Sequence, residues 1–225
     1  MADIIETVNG EANSSIRAKL NTLIGQANGG VFAEAVLGGV TDHLEVATDG
    51  TLTLKGAATA WDDLLVELRE SVTGQTLKPD WDATNFGLLF PRNSTTEFVP
   101  FNFQMPHRWK EGSTVYPHVH FLQDQDVAPT FKLDYRWVNI GELVPAWTTG
   151  YTMATLVGAQ TWTSGLLHRI VHGTGGISAT GKTFSSELQV KLYRDDNTYV
   201  GDCITLSFDL HFEIDSFGTS SEYAK

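Results

Sequence analysis

Between Phe98 and Trp137 apolar and polar side chains alternate with a period of two, which leaves this part of the chain little choice but β-strand. In FVPFNFQMPHRWKEGSTVYPHVHFLQDQDVAPTFKLDYRW, Phe101, Phe103 and Met105 fall on one face before the middle, and Phe131, Leu133, Tyr135 and Trp137 after it. Successive strand side chains point to opposite sides, so this is the pattern of strands with one buried face. A turn at Lys110-Glu111-Gly112-Ser113 and another from Asp124 to Pro129 divide the stretch into three strands. Trp147 to Leu156, Leu166 to His172, Glu187 to Tyr193 and Tyr199 to Ile214 continue the series. In the last of these, Ile204, Leu206, Phe208, Leu210, Phe212 and Ile214 are expected on one side. Regularly spaced strands separated by turn residues predict an all-β fold, a jelly roll or a β-sandwich.

That pattern covers residues 57–225, and residues 1–56 read differently. Ser14-Ser15 can cap a short helix in which Ile16, Leu20, Leu23 and Ile24 recur at helical spacing, ending at Gly25. His43 to Thr48 and Thr51 to Lys55 read as a hairpin around Asp49-Gly50. Large side chains are few, so the segment buries little by itself and is expected to be an extended arm ordered on another surface. WDDLLVELRE from Trp61 fits helix and strand equally. Pro79-Asp80-Trp81 reads as loop and Gly87 to Phe90 as a short strand.

Charge narrows the function classes. The 15 Lys+Arg against 27 Asp+Glu leave a net charge of −12, which opposes binding to phosphate backbones, so no nucleic-acid partner is expected. The single cysteine, Cys203, allows no intrachain disulfide and reads as a small buried apolar residue. The opening residues show no basic region followed by an apolar core, and no apolar run is long enough to span a bilayer. A chain made in the cytoplasm, with no membrane partner, is expected.

Gly176-Ile-Ser-Ala-Thr-Gly181-Lys182-Thr183 matches the phosphate-loop pattern letter for letter. That loop works by joining a strand to a helix whose amides cradle phosphate, whereas strand-like alternation follows here, so a plain Gly-rich loop is expected. Gly112, His118, His120 and Asp124 resemble the first cupin motif, in which histidines and an acid bind a divalent metal. Positions i and i+2 on a strand point the same way, so His118 and His120 can reach one ion, with His211 as a possible third ligand. The usual Glu and the following glycine are missing, and the expectation is that the histidines pack in a β core or at a subunit contact, without metal. Trp81, Trp109, Trp147 and Trp162 suggest a sugar-stacking platform or, more often in a sandwich, core and interface. Asp195-Asp196 reads as turn filler.

Taken together, QMPHRWKEGSTVYPHVHF, LDYRWVNIGE and KLYRDDNTYVGDCITLSFDLHFEIDSFGTSSEYAK resemble a family of tailed-bacteriophage virion proteins. The positions that carry the resemblance are Pro106, His107, Lys110, Glu111, Gly112, Pro117, His118, His120, Tyr135, Trp137, Asp209, His211 and Phe212. An upstream Ala60-Trp61-Asp62-Asp63-Leu64 fits as well, and the match runs over residues 57–225. The resemblance implies a structural protein of the virion, with no cofactor and no enzymatic activity. Within that class a capsid decoration, or cement, protein is expected: a homotrimer that clamps the major capsid protein through its arm, by Ile16, Leu20, Leu23, Val31 and Phe32. His107, Trp109, Tyr116, His118, His120 and His211 then make core or three-fold contacts. The rival readings are a cupin-like metalloenzyme and a glycan-binding head-fibre or tail appendage.

Overall fold

The computed structural model describes residues 35–47, 50–66, 68, 78–92, 94–156, 161–172, 175–196 and 199–219. The expected helix at 16–24, with Val31 and Phe32, lies outside them. The chain divides into two compact units, residues 1–58 and 59–225. In the first, β1 (Ala35–Gly38), β2 (His43–Val46) and β3 (Leu52–Lys55) form an antiparallel sheet in that order. The expected hairpin pairs His43 with Lys55 and Val46 with Leu52. Gly50 closes it at φ +87°, donating its amide to the Ala47 carbonyl. A left-handed residue at that point is why the turn needs glycine. Residues 35–38, expected to be extended arm, are the strand β1.

In the second unit all regular elements of the described residues are strands: β4 (Ala60–Val66), β5 (Asp80–Asp82), β6 (Gly87–Phe90), β7 (Ser94–Gln104), β8 (Tyr116–Gln123), β9 (Phe131–Val138), β10 (Thr148–Leu156), β11 (Leu167–His172), β12 (Glu187–Arg194) and β13 (Cys203–Ile214). They make one antiparallel sheet in the order β5-β6-β13-β8-β11-β10-β9-β12-β7, with β4 also on β13. The WDDLLVELRE ambiguity resolves to strand at Ala60–Val66, and the expected loop at Pro79–Trp81 is largely β5.

The sheet is curled on itself. β7 and β13 lie six places apart in the strand order, about 29 Å in a flat sheet at a 4.8 Å strand spacing. Yet Phe208 of β13 has its ring centroid 4.7 Å from Phe101 and 5.7 Å from Phe103, both on β7. Phe90 of β6 meets Phe131 of β9 at 5.6 Å. The apolar faces expected of β7, β9 and β12 therefore point at β6, β8 and β13 across a common core. Phe101, Phe103, Met105, Phe131, Leu133, Trp137, Leu188, Val190 and Leu192 are all buried in it.

β13 departs from the expected single face. Its pairing with β8 slips between Thr205 and Ser207, a β-bulge that inserts one residue. Cys203 and Thr205 are buried before the bulge, and Phe208, Leu210, Phe212 and Ile214 after it. Ile204 and Leu206 thus lie on the opposite face from Phe208 although they share its parity, because one extra residue exchanges the two faces.

Candidate functional site

The bulge decides where the chemistry goes. Beyond it, Phe208, Leu210 and Phe212 face the core, which turns Asp209 and His211 to the outer face. On β8 Val119 and Phe121 face the core, so His118 and His120 also turn outward; on β4 the apolar Leu64 and Val66 pack inward and leave Asp63 outside. Register completes the cluster: Asp209 lies opposite His118, and His211 lies between Tyr116 of β8 and Asp63 of β4.

The His211 Nε2 is 2.8 Å from Asp63 Oδ1 and 3.0 Å from Asp209 Oδ2. His120 Nε2 lies 3.5 Å from Asp209 Oδ1, and His118 Nδ1 lies 4.0 Å from Asp209 Oδ2. The His118 and His211 rings meet edge to face, centroids 3.7 Å apart. Although on the outer face, His118 is only 6% exposed and Asp209 5%.

Burial lowers the His118 pKa to about 4, reinforced by the neighbouring His211 and resisted by Asp209. Burial works against ionisation of Asp209, but hydrogen bonds from His120 and His211 outweigh it and hold the carboxyl well below the usual carboxylate range. The result is an anionic carboxylate bordered by three imidazoles, one of them neutral at pH 7.

Asp124, the acid expected beside His118 and His120, is not in this cluster. It follows the end of β8 and accepts hydrogen bonds from the Tyr199 hydroxyl and the Asp202 amide. Four residues of strand carry it about 13 Å beyond His120, too far for a shared ion. Asp63 and Asp209 take that place. Their signal in the sequence was the Asp209-x-His211 pair, which repeats the i, i+2 spacing of His118-x-His120.

The other expected contact residues hold the crossover between β7 and β8. Trp109 is fully buried, bridges to Ile214 and lies 5.7 Å from the Trp137 ring. His107 meets Thr219 Oγ1 at 2.8 Å and Ser185 Oγ at 3.4 Å, with its ring against Phe184. Glu111 accepts the Phe184 amide at 2.8 Å, and Lys110 pairs with Glu213 at 3.3 Å. Tyr116, half-buried, meets Trp61 edge to face at 5.5 Å.

The tryptophans make no common platform. Trp109 is in the core, Trp162 packs against Phe121 and His168, and Trp147 is capped by Arg136 and Lys191. The phosphate-loop look-alike spends its amides internally. Ile177 N donates to Val115 O, Lys182 N to Ala179 O and Thr183 N to Asn139 Oδ1, and the strand β12 follows.

No protein-family model matches the chain, and no curated protein matches it. Among solved structures it is similar to dimeric latent PorU from Porphyromonas gingivalis, with 8% identity over 70% of this chain and 13% of that one, at a TM-score of 0.32. It is also similar to the CBM22-1–GH10 modules of Clostridium thermocellum xylanase 10B complexed with xylohexaose, with 13% identity over 73% and 27% of the two chains, at a TM-score of 0.33. A third is from infectious bursal disease virus, Gx strain, with 7% identity over 73% and 44%, at a TM-score of 0.18. The chain thus spans less than half the length of each of these proteins, and likeness at these scores assigns no function.

Proposed function

We propose that this chain is a structural protein of a tailed-bacteriophage virion, and within that class a capsid decoration protein. In this reading residues 59–225 form a jelly-roll-like sandwich that trimerises. The N-terminal segment, including Ile16, Leu20, Leu23, Val31 and Phe32, clamps neighbouring major capsid subunits. The sequence blocks around Pro106–Phe121 and Asp209–Phe212 suggest the class.

The observation that carries an assembly role is the apolar surface left in solvent by a core that is already closed. In the loop after β9, Leu143 is 95% exposed, Ile140 78% and Val144 56%. On β4, Trp61 and Leu65 are more than half exposed. Large apolar residues grouped this way mark surfaces that another protein covers.

The test is light scattering on the full-length protein, followed by sedimentation with emptied phage capsid shells. A trimer that co-sediments, and an Ile140→Asp/Leu143→Asp variant that folds but loses the trimer, support the reading. A monomer that ignores the shells removes it.

A further inference from the structure

Three sequence blocks far apart in the chain, around Asp63, His118 and Asp209, meet in one cluster on the outer sheet face. Nothing in the assembly reading requires that convergence. We propose that His118, Asp209 and His211 bind one first-row divalent transition-metal ion of the zinc type, with Asp63 as the fourth donor. The inference stands independently of the virion role.

A tetrahedral ion with ligand bonds of about 2.0–2.1 Å holds its donors about 3.3 Å apart. Here the His211 Nε2 to Asp209 Oδ2 distance is 3.0 Å and the His118 Nδ1 to Asp209 Oδ2 distance is 4.0 Å. One atom from each of the three residues lies within 4.8 Å of the others. Closing the set to that spacing takes side-chain shifts of about 0.7 Å between His118 and Asp209 and at most about 1.5 Å for any pair, within the reach of χ rotations at the three residues. Two imidazoles and a carboxylate suit zinc and its neighbours better than calcium or magnesium, which prefer all-oxygen sites.

The state of the groups points the same way. His118 is more than nine-tenths buried, yet its Nδ1, directed at Asp209, makes no hydrogen bond. A buried polar atom left without a partner is costly, and a cation seated between His118 Nδ1 and Asp209 would supply one. Asp63 and Asp209 both converge on the single His211 Nε2. Two anions around one N–H are better served by a doubly charged ion in its place. The Asp63 side chain is 55% exposed and free to turn toward that ion, while buried Asp209 cannot move far.

Beyond the ligands, His120 Nε2 lies 3.5 Å from the other Asp209 oxygen, an ion-pair contact placed to orient that carboxylate as it closes on an ion. Ligating carboxylates depend on such outer partners, whose loss typically weakens metal binding 10–100-fold. Metal binding here joins β4, β8 and β13, the three strands that carry the donors, and displaces the proton on His211 Nε2 to solvent.

The experiment uses the full-length protein, stripped with EDTA, dialysed, and titrated with zinc chloride by calorimetry at neutral pH. One zinc per chain is expected, with a rise in the thermal unfolding midpoint. Asp209→Asn and His211→Ala should weaken binding more than about 100-fold and His120→Ala about 10-fold, beyond and at the lower edge of the outer-partner range. His107→Asn should bind as the parent does. Circular dichroism without metal establishes that each variant folds.

Cobalt(II) supplies a readout that needs no variant. A site of two imidazoles and carboxylate in low coordination gives intense visible absorption, unlike the pale aquo ion. The proposal fails if the parent protein binds no zinc at micromolar concentration. It fails equally if folded His211→Ala keeps the parent affinity, or if protein-bound cobalt absorbs like the aquo ion.

Discussion

Replacing Arg194 with methionine should cost the fold about 3–5 kcal/mol, the penalty for leaving one member of a buried ion pair behind. Arg194 and Asp196 are each 1% exposed, with Nε 3.1 Å from Oδ2. The same guanidinium donates to the carbonyls of Phe90, Gly201 and Tyr199, at 3.3, 2.8 and 2.8 Å, and lies over the Tyr199 ring. It therefore rivets the end of β12 to β6 and to the approach to β13. Methionine keeps the length of the stem but strands a buried carboxylate and three carbonyls. Stranded carbonyls would add about 1–3 kcal/mol each if dry. A cleft lined by Arg92, Glu97, Val200 and Asp202 borders the site, so water reaches part of it and the ion-pair figure is the better guide.

Urea unfolding followed by tryptophan fluorescence reads the effect. With a slope of about 2 kcal/mol per molar, the midpoint should fall by about 2 M. The double variant Arg194→Met/Asp196→Leu should recover part of that loss, because the orphaned charge is removed as well. A loss under about 1 kcal/mol, or a double variant no more stable than Arg194→Met alone, would refute the reasoning.

Cys203 is buried with its thiol pushed up to about 12, mainly by burial, so a thiol reagent should label it only after denaturation. Labelling of native protein at the rate of a free thiol would contradict that assignment. His118 titrates near 6.5 when unfolded and about 4 when folded, so the unfolded state takes up the proton first as pH falls. In metal-free protein this should remove about 2 kcal/mol of stability between pH 7 and 5, a loss that His118→Asn abolishes in denaturation curves at the two pH values. Gly176 and Gly181 both lie at φ near +70°, but a Cβ on Gly176 would meet Val115 O at 2.6 Å, whereas nothing lies within 4 Å at Gly181. Gly181→Ala should cost about 1–2 kcal/mol of backbone strain. Gly176→Ala should cost clearly more, and equal losses in urea midpoints would show that the contact relaxes freely.

The strands that were legible in the sequence are those whose inner face is apolar and whose outer face is not. Phe101-Phe103-Met105 and Leu188-Val190-Leu192 declare themselves because exposed positions between them are polar. β4 did not, since Leu65 is apolar and yet 67% exposed on the outer face, so the period of two is blurred. The bulge in β13 was invisible for a related reason: Ile204 and Leu206 face outward yet are apolar, so they continue the even-numbered apolar series into Phe208 and nothing local marks the extra residue. The buried Asp196 looked like turn filler because its partners, Arg194 and the Thr130 amide, are set by tertiary packing. At the site, His118 and His120 were legible from strand spacing. Their acid was sought nearby at Asp124, while register supplied Asp209 from about ninety residues away, and pairings at that range leave no local trace.

β13 is shared by three partners: β8 along one edge, and on the other β6 at residues 203–205 and β4 at 208–214. A ribosome that has made the first 202 residues has therefore delivered three strands and withheld the one they all pair with. Until it emerges, β4, β6 and β8 each keep an unpaired edge, the kind of surface on which neighbouring nascent chains stick together. The unit cannot ripen segment by segment during synthesis; it closes late and at once. Slowing translation should do little for its yield, and lowering the concentration of unfinished chains, or supplying a chaperone that shields strand edges, should do much.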